Sequence, residues 1–347
     1  MIAARLYGPR DMRIEEVPEP PPPGPGEVQL RVTSVGICGS DLHQWAIGQI
    51  GNSSAAGPVV LGHEFAGVVT AVGPGVEGLT IGQRVAADPA IPCWRCEMCR
   101  MGHPNLCRRL HFCGLWPDDG ALRERLNHPA DACFPLPEAL SDDEGAMLEP
   151  LGIGIHAMDL AKLRVAHSVA VLGCGGIGLL LIRLARLAGA RPIFATDRVP
   201  HRLAAARRYG ADEVFNVTEV DPVATVLRAT SGRGVDVALE AAWADETVEQ
   251  AAEMARMGGR VVLVGIPAED ALHMRASTAR RKGLTIVFSR RMKHTYPRAI
   301  ALAQAGDVDL RGLVTHRLPL ARAADAFRLA ETYADGALRV VVEVSRS

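Results

Sequence analysis

A strong net charge is the first thing this sequence lacks: its 38 Lys and Arg face 39 Asp and Glu, for a formal charge of −1. That leaves no field to hold nucleic acid or an anionic membrane, so neither partner is expected. Aromatics are scarce at 4%, whereas 48% of residues are hydrophobic and 35 are Gly. Such a composition suits α/β units with close helix-to-sheet packing. No apolar run is long enough for a membrane span, because residues 169–182 hold four glycines and are followed at once by Arg183. The amino terminus, MIAARLYGPRDMRIEE, is charged where a secretion signal would be apolar. A soluble, cytoplasmic protein is expected. Eight cysteines could form disulfides, but four of them crowd into fifteen residues with the two-residue gaps of a metal site in a cytosolic protein. Cys113, Cys133 and Cys174 read as small buried hydrophobes.

What is present divides into two textures, and 347 residues are more than one core usually organises. To about Pro150 the chain runs in short β-branched stretches, EVQLRVTSV, AGVVTAV and QRVAADPA, broken by Gly and Pro; this predicts an irregular barrel. PEPPPPGPGE reads as a stiff spacer loop. From Ala166 onward six apolar strands, SVAVL, RPIFAT, EVFNV, VDVALE, RVVLV and LTIVF, alternate with helical stretches, which predicts an α/β doubly wound parallel Rossmann sheet. The chain ends in RVVVEV, a strand expected to return to the first domain. The expected boundaries are 1–152 with 290–347 for the catalytic domain, including a metal lobe at about 90–110, and 153–289 for the Rossmann domain.

Within the second texture, Gly173-Cys174-Gly175-Gly176-Ile177-Gly178 follows SVAVL and opens a helix. Glycines there allow a tight turn and a close backbone approach to a pyrophosphate, which the helix amino terminus attracts. Asp197 ends the next strand, nineteen positions beyond Gly178, where a carboxylate binds ribose hydroxyls and repels a 2′-phosphate. NAD is therefore expected in preference to NADP, although Arg198 and Arg202 carry charge that suits a phosphate.

Two metal patterns occupy the first texture. Cys93, Cys96, Cys99 and Cys107 form C-x2-C-x2-C-x7-C, a set that closes around a structural zinc, the competing readings being an iron–sulfur cluster or unligated reduced thiols. Cys38 in GICGSDLH, His63 and Glu64 in LGHEFAG, and Glu149 in MLEPLGIGIHAM offer a thiolate, an imidazole and carboxylates. Such a mixed set can hold zinc and keep room for a substrate oxygen. Each of these residues alone would be unremarkable.

Taken in order, GHE-x-x-G, the four-cysteine lobe and GxGxxG resemble the zinc-containing medium-chain alcohol dehydrogenases over essentially the whole chain, and CGSDLH, IGQIGN, VLGHE, PDDGAL, EPLGIGIHA and LVTHRLPLARAADAF resemble the sorbitol (polyol) dehydrogenase branch. The resemblance implies a GroES-like catalytic domain with a catalytic zinc held by Cys38, His63 and Glu64, directly or through water, and Glu149 as the other nearby carboxylate. By the same resemblance Asp41 orients His63, Ser40 and His43 carry the substrate proton towards solvent, and Ile177, Asp197, Arg202, Val264-Gly265-Ile266 and Arg290-Arg291-Met292 contact the cofactor. Arg291 also matches an arginine that holds a polyol hydroxyl. The pattern departs from the branch at Gln44 and Met292, where tyrosines are usual, and at Leu115-Trp116, where a smaller and more polar pair is usual. Those changes remove hydroxyl donors and weaken discrimination for a fully hydroxylated substrate.

The expected activity is hydride transfer from a secondary alcohol of the polyol or diol class to NAD, giving a ketone, with zinc as Lewis acid and a proton route through Ser40, the nicotinamide ribose and His43. A threonine or butanediol dehydrogenase type shares every one of these motifs. A dinucleotide-binding redox sensor is the non-enzymatic rival, and a complete open metal set argues against it. The strand LTIVF at the Rossmann sheet edge is apolar, and the resemblance implies that it pairs across a subunit boundary, so a homodimer or homotetramer is expected.

Overall fold

The computed structural model describes residues 1–51, 53–242, 244–266 and 271–345. Asn52, the last residue of IGQIGN, lies outside them. Two compact units emerge, Met1–Glu149 with Tyr296–Ser347, and Pro150–Thr295. Residues 150–152 and 290–295 thus belong to the second unit. Their packing explains it, because a Cβ at Gly152 would lie 2.5 Å from Met292 Sδ and 2.7 Å from Thr295 Oγ1.

The first unit is built on a seven-stranded sheet whose spine is the strand Glu27–Gly36. Its sequence alternates at first, with Val28, Leu30 and Val32 buried and Gln29 and Arg31 half-buried, and then runs wholly buried from Thr33 to Gly36. One face of the early part meets solvent while both faces of the later part are covered. Antiparallel partners are Glu64–Val72, Arg125–Pro129 and the returning strand Arg339–Glu343, itself parallel to Val314–Pro319. Val28, Leu30, Leu61, Phe65, Leu122 and Leu126 form a core with Trp45 and Phe327, whose rings sit 5.5 Å apart. The carboxy-terminal helix Ala323–Thr332 thereby closes the core built by the amino-terminal strands.

The second unit is a six-stranded parallel sheet in the order 213–216, 193–197, 169–172, 235–240, 255–263, 285–288. All six sequence-predicted strands are present, and the order is that of a doubly wound sheet. The central strand Val169–Leu172 is buried along its length, as expected of a strand with helices on both faces. No helix among the described residues is long and apolar enough to cross a membrane.

Candidate metal and dinucleotide sites

Cys38 caps the amino end of the helix Gly39–Ile47, directly after the spine strand. The third residue of that helix, Asp41, reaches back to accept a hydrogen bond from the Cys38 backbone N–H at 3.0 Å. Its other oxygen accepts from His63 Nδ1 at 3.2 Å and from the Gly62 N–H at 3.4 Å. One buried carboxylate therefore ties together the two loops that carry Cys38 and His63. It also fixes the imidazole tautomer, leaving Nε2 as the lone-pair nitrogen. Ser40 Oγ lies 3.5 Å from that Nε2.

Glu64 opens the strand Glu64–Val72 and faces Gly36 across the ladder. A Cβ at Gly36 would come within 2.3 Å of Glu64 Oε2 and 2.5 Å of Met147 Cε, so only glycine leaves the carboxylate its place. One ligand atom from each of Cys38, His63 and Glu64 lies within 4.8 Å of the others. Burial pushes the Cys38 thiol up, but the charge of His63 and a hydrogen bond to it prevail and bring the thiol down to about 7. Burial opposes protonation of His63, and the neighbouring Asp41 and Cys38 overcome it, holding the imidazole well above its usual range. A proton shared between sulfur and imidazole is what a divalent metal displaces on binding. Glu64 Oε1 is buried and has no hydrogen-bond partner among the described residues. A soft sulfur, an imidazole nitrogen and an uncommitted carboxylate oxygen fit zinc. Glu149 is buried near the start of the helix Leu148–Ala161 and is not a member of this cluster. The ring of Phe112 sits 5.2 Å from that of His63.

His43 is 9% exposed, and desolvation brings its pKa down to about 4. The proton route expected from sequence asked for a group titrating near neutrality, and burial has placed this one lower. Gln44 Nε2 donates to the Gly114 carbonyl at 3.4 Å, so its amide is engaged with the loop that carries Leu115 and Trp116.

Cys93, Cys96, Cys99 and Cys107 also converge within 4.8 Å of one another. The sulfur of Cys107 accepts from the backbone N–H groups of Cys93 at 3.2 Å and Arg109 at 3.3 Å. The backbone N–H of Arg95 is the main cause that lowers Cys93 to about 6, whereas burial pushes Cys99 up to about 12. Four sulfurs with no other ligand type among them fit a closed tetrahedral metal shell.

In the second unit Gly173 has φ +92°, and a Cβ at Gly178 would fall 1.8 Å from the Gly173 carbonyl oxygen, so the turn tolerates no side chain there. A Cβ at Gly175 would meet only Arg202 Nη1, at 3.9 Å, which leaves the helix amino terminus open beside a guanidinium. Asp197 accepts from the N–H groups of Cys174 at 2.7 Å and Val199 at 2.9 Å. Each of its oxygens keeps a lone pair for a hydroxyl donor. Val264 and Gly265 donate to the Glu240 carbonyl at 2.8 and 3.1 Å, shaping the turn that ends at the 38% exposed Ile266. Arg290 and the half-buried Arg291, with φ 57°, follow the strand Thr285–Phe288.

Sequence reasoning missed Arg339, whose Nη2 donates to Glu64 Oε2 in a buried ion pair. The available signal was a cation directly ahead of three valines in the strand RVVVE.

A nucleotide-type sheet and an open mixed-ligand metal cluster on one chain define a metal-dependent dehydrogenase. Residues 24–138 match the model of the alcohol dehydrogenase GroES-like domain and residues 176–305 that of the zinc-binding dehydrogenase domain. The chain is 36% identical over 346 residues to sorbitol dehydrogenase of Bacillus subtilis, covering 100% of this chain and 98% of that one. It is 39% identical over 334 residues to sorbitol dehydrogenase of Homo sapiens, covering 95% and 92%. Among solved structures, 2R,3R-butanediol dehydrogenase from Bacillus subtilis superposes with a TM-score of 0.87 at 31% identity, covering 99% of both chains. The chain belongs to the zinc-dependent medium-chain alcohol dehydrogenase family.

Proposed function

We propose that this protein oxidises a secondary hydroxyl of a polyol or diol to a ketone, with catalytic zinc at Cys38, His63 and Glu64, structural zinc in the four-cysteine lobe, and NAD as hydride acceptor. The observation that carries the reading is the convergence of thiolate, imidazole and carboxylate within 4.8 Å. Bound there, zinc supplies Lewis acidity to the hydroxyl oxygen and the nicotinamide accepts hydride. Asp41 holds His63 in the ligating tautomer, and Glu149 stands as a reserve carboxylate. Ser40 takes the hydroxyl proton and passes it by way of the nicotinamide ribose towards His43, which is neutral at pH 7. The open turn at Gly173, Gly175, Ile177 and Gly178 receives the pyrophosphate together with Arg202. Asp197 receives the ribose hydroxyls, which favours NAD over NADP. Val264, Gly265, Ile266 and Arg290 line the remainder of the cofactor, and Arg291 meets a substrate hydroxyl.

A shorter diol, as in a butanediol dehydrogenase, is the second reading. Engagement of Gln44 with Gly114, and an exposed Trp116, favour it by offering the substrate few hydroxyl partners. A panel of polyols, diols and hydroxy amino acids assayed with NAD and NADP separates these readings. The proposal expects NADH formation with at least one polyol or diol, and fails if none is oxidised by zinc-loaded protein. We also propose a homodimer or homotetramer in a reducing, cytoplasmic setting, supported by the edge strand Thr285–Phe288 with Phe288 65% exposed and by eight free cysteines. Sedimentation should give a multiple of the 37.0 kDa chain mass; a monomer at working concentration would refute assembly.

A further inference from the structure

Cys38 is half-buried while His63 and Glu64 are buried, so the cluster meets solvent beside the helix Gly39–Ile47 that Cys38 caps. Ser40 and Gln44 stand one turn apart on a single face of that helix. Ser40 Oγ lies 3.5 Å from His63 Nε2, and Gln44 Nε2 donates to the Gly114 carbonyl at 3.4 Å. Residues 111–118 therefore run along the helix face that looks on the cluster, and the Phe112 ring reaches to 5.2 Å from that of His63. Their turn is tied down at its base. Asp118 Oδ2 accepts from the Phe112 N–H at 3.0 Å, the Gly114 N–H donates to the Asp118 carbonyl at 3.1 Å, and the Asp118 N–H donates to the Leu115 carbonyl at 2.9 Å. A Cβ at Gly114 would lie 3.1 Å from the Gly62 carbonyl oxygen, so the turn is seated against the residue that precedes His63. From its tip the indole of Trp116 crosses to the segment that leads into His63. A Cβ at Gly57 would lie 3.1 Å from Cη2 and 3.2 Å from Cζ3 of that ring. Ser54, Ala55 and Ala56, just ahead of Gly57, are small and exposed, so the carbon edge of Trp116 supplies the bulk that this segment lacks.

We propose that Trp116 limits the length of carbon chain the site accepts, its indole bridging residues 111–118 to Gly57 as a fixed apolar wall beside the open side of the cluster. The inference rests on the reading of that cluster as the site of polyol or diol oxidation. The wall is particular to this chain, which carries Leu115-Trp116 where the branch it resembles has a smaller, more polar pair. A short diol presents its reacting hydroxyl and the neighbouring one without reaching the ring. A hexitol presses its distal carbons and hydroxyls against the carbon edge of the indole, where the hydroxyls lose water and gain no partner.

The test compares kcat/KM for erythritol and sorbitol with NAD on zinc-loaded wild type, W116A and W116F, with butanediol as the short reference. Both polyols carry a hydroxyl on every carbon, so their ratio reads length at constant hydroxylation. Wild type should favour erythritol, and W116A should raise the sorbitol-to-erythritol ratio roughly 10- to 200-fold, the range over which pocket contacts discriminate substrates that differ in bulk. W116F keeps a ring but loses the edge that meets Gly57, and should fall between. Zinc content of the same samples should match wild type, because the wall stands apart from the ligands. A ratio that stays level or falls in W116A, wild type that prefers sorbitol, or a W116A protein that has lost catalytic zinc would each overturn the role of Trp116. Zinc-loaded wild type that oxidises none of the three alcohols would instead overturn the reading beneath it, and the wall with it. If W116A does not fold, W116F carries the test with a smaller required rise.

Discussion

Asp41 does for the metal cluster what no ligand can do for itself. Its two oxygens bind the Cys38 backbone, the Gly62 backbone and the His63 ring, so two loops distant in sequence are held at one spacing before any metal arrives. His43 is the opposite case, a residue whose surroundings change its chemistry. Burial lowers it to about 4, so it is neutral across the physiological range. The activity limb that belongs to His43 should therefore fall as pH drops through about 4, well below the 6.5 of an unperturbed imidazole. Turnover of wild type and His43→Gln, followed from pH 4 to pH 8, checks this. A wild-type limb near 6.5 that the substitution abolishes would show that His43 titrates as an exposed histidine.

Among the elements, the strand Arg125–Pro129 carries a histidine in the core. His128 is 2% exposed, its Nε2 donates to the Asp88 carbonyl at 2.8 Å, and its ring is T-shaped to that of Phe65 with centroids 5.5 Å apart. Desolvation lowers its pKa from 6.5 to about 4, against the pull of the Asp88 hydrogen bond. The unfolded chain therefore binds this proton first, so the stability His128 contributes is full above about 6.5 and is lost as pH falls through about 4. The shift is worth roughly 3 kcal/mol on the usual conversion. Denaturant unfolding at pH 7 and pH 4 should show wild type losing about that much more than His128→Asn; equal losses would contradict the burial argument. Elements were also where the sequence was most legible. Six strands of the second unit could be read because each is a short apolar run between helices, and the returning strand because RVVVEV has no helical period. His128 could not be read this way, since polar residues on one strand do not disclose which face is covered.

At the scale of the whole molecule, the two metal sets follow different logics. The lobe is local: four cysteines within fifteen residues find one another without long-range packing, so spacing alone revealed it. The catalytic cluster joins residues 38, 63 and 64 through strand pairing, and spacing could nominate its members only by their motifs. Arg339 entered from the far end of the chain, 275 residues from its partner Glu64, where no local pattern reaches. Glu149 was nominated with the others and is not among the three residues whose ligand atoms lie within 4.8 Å of one another. The proposed function depends on a sheet that gathers distant residues into one candidate metal site, and that dependence can be measured directly. Zinc content and NAD reduction determined on the same preparation of Cys38→Ser should give about one zinc per chain against about two for wild type, the lobe metal retained and turnover gone. A variant that keeps both metals and wild-type turnover would contradict the account.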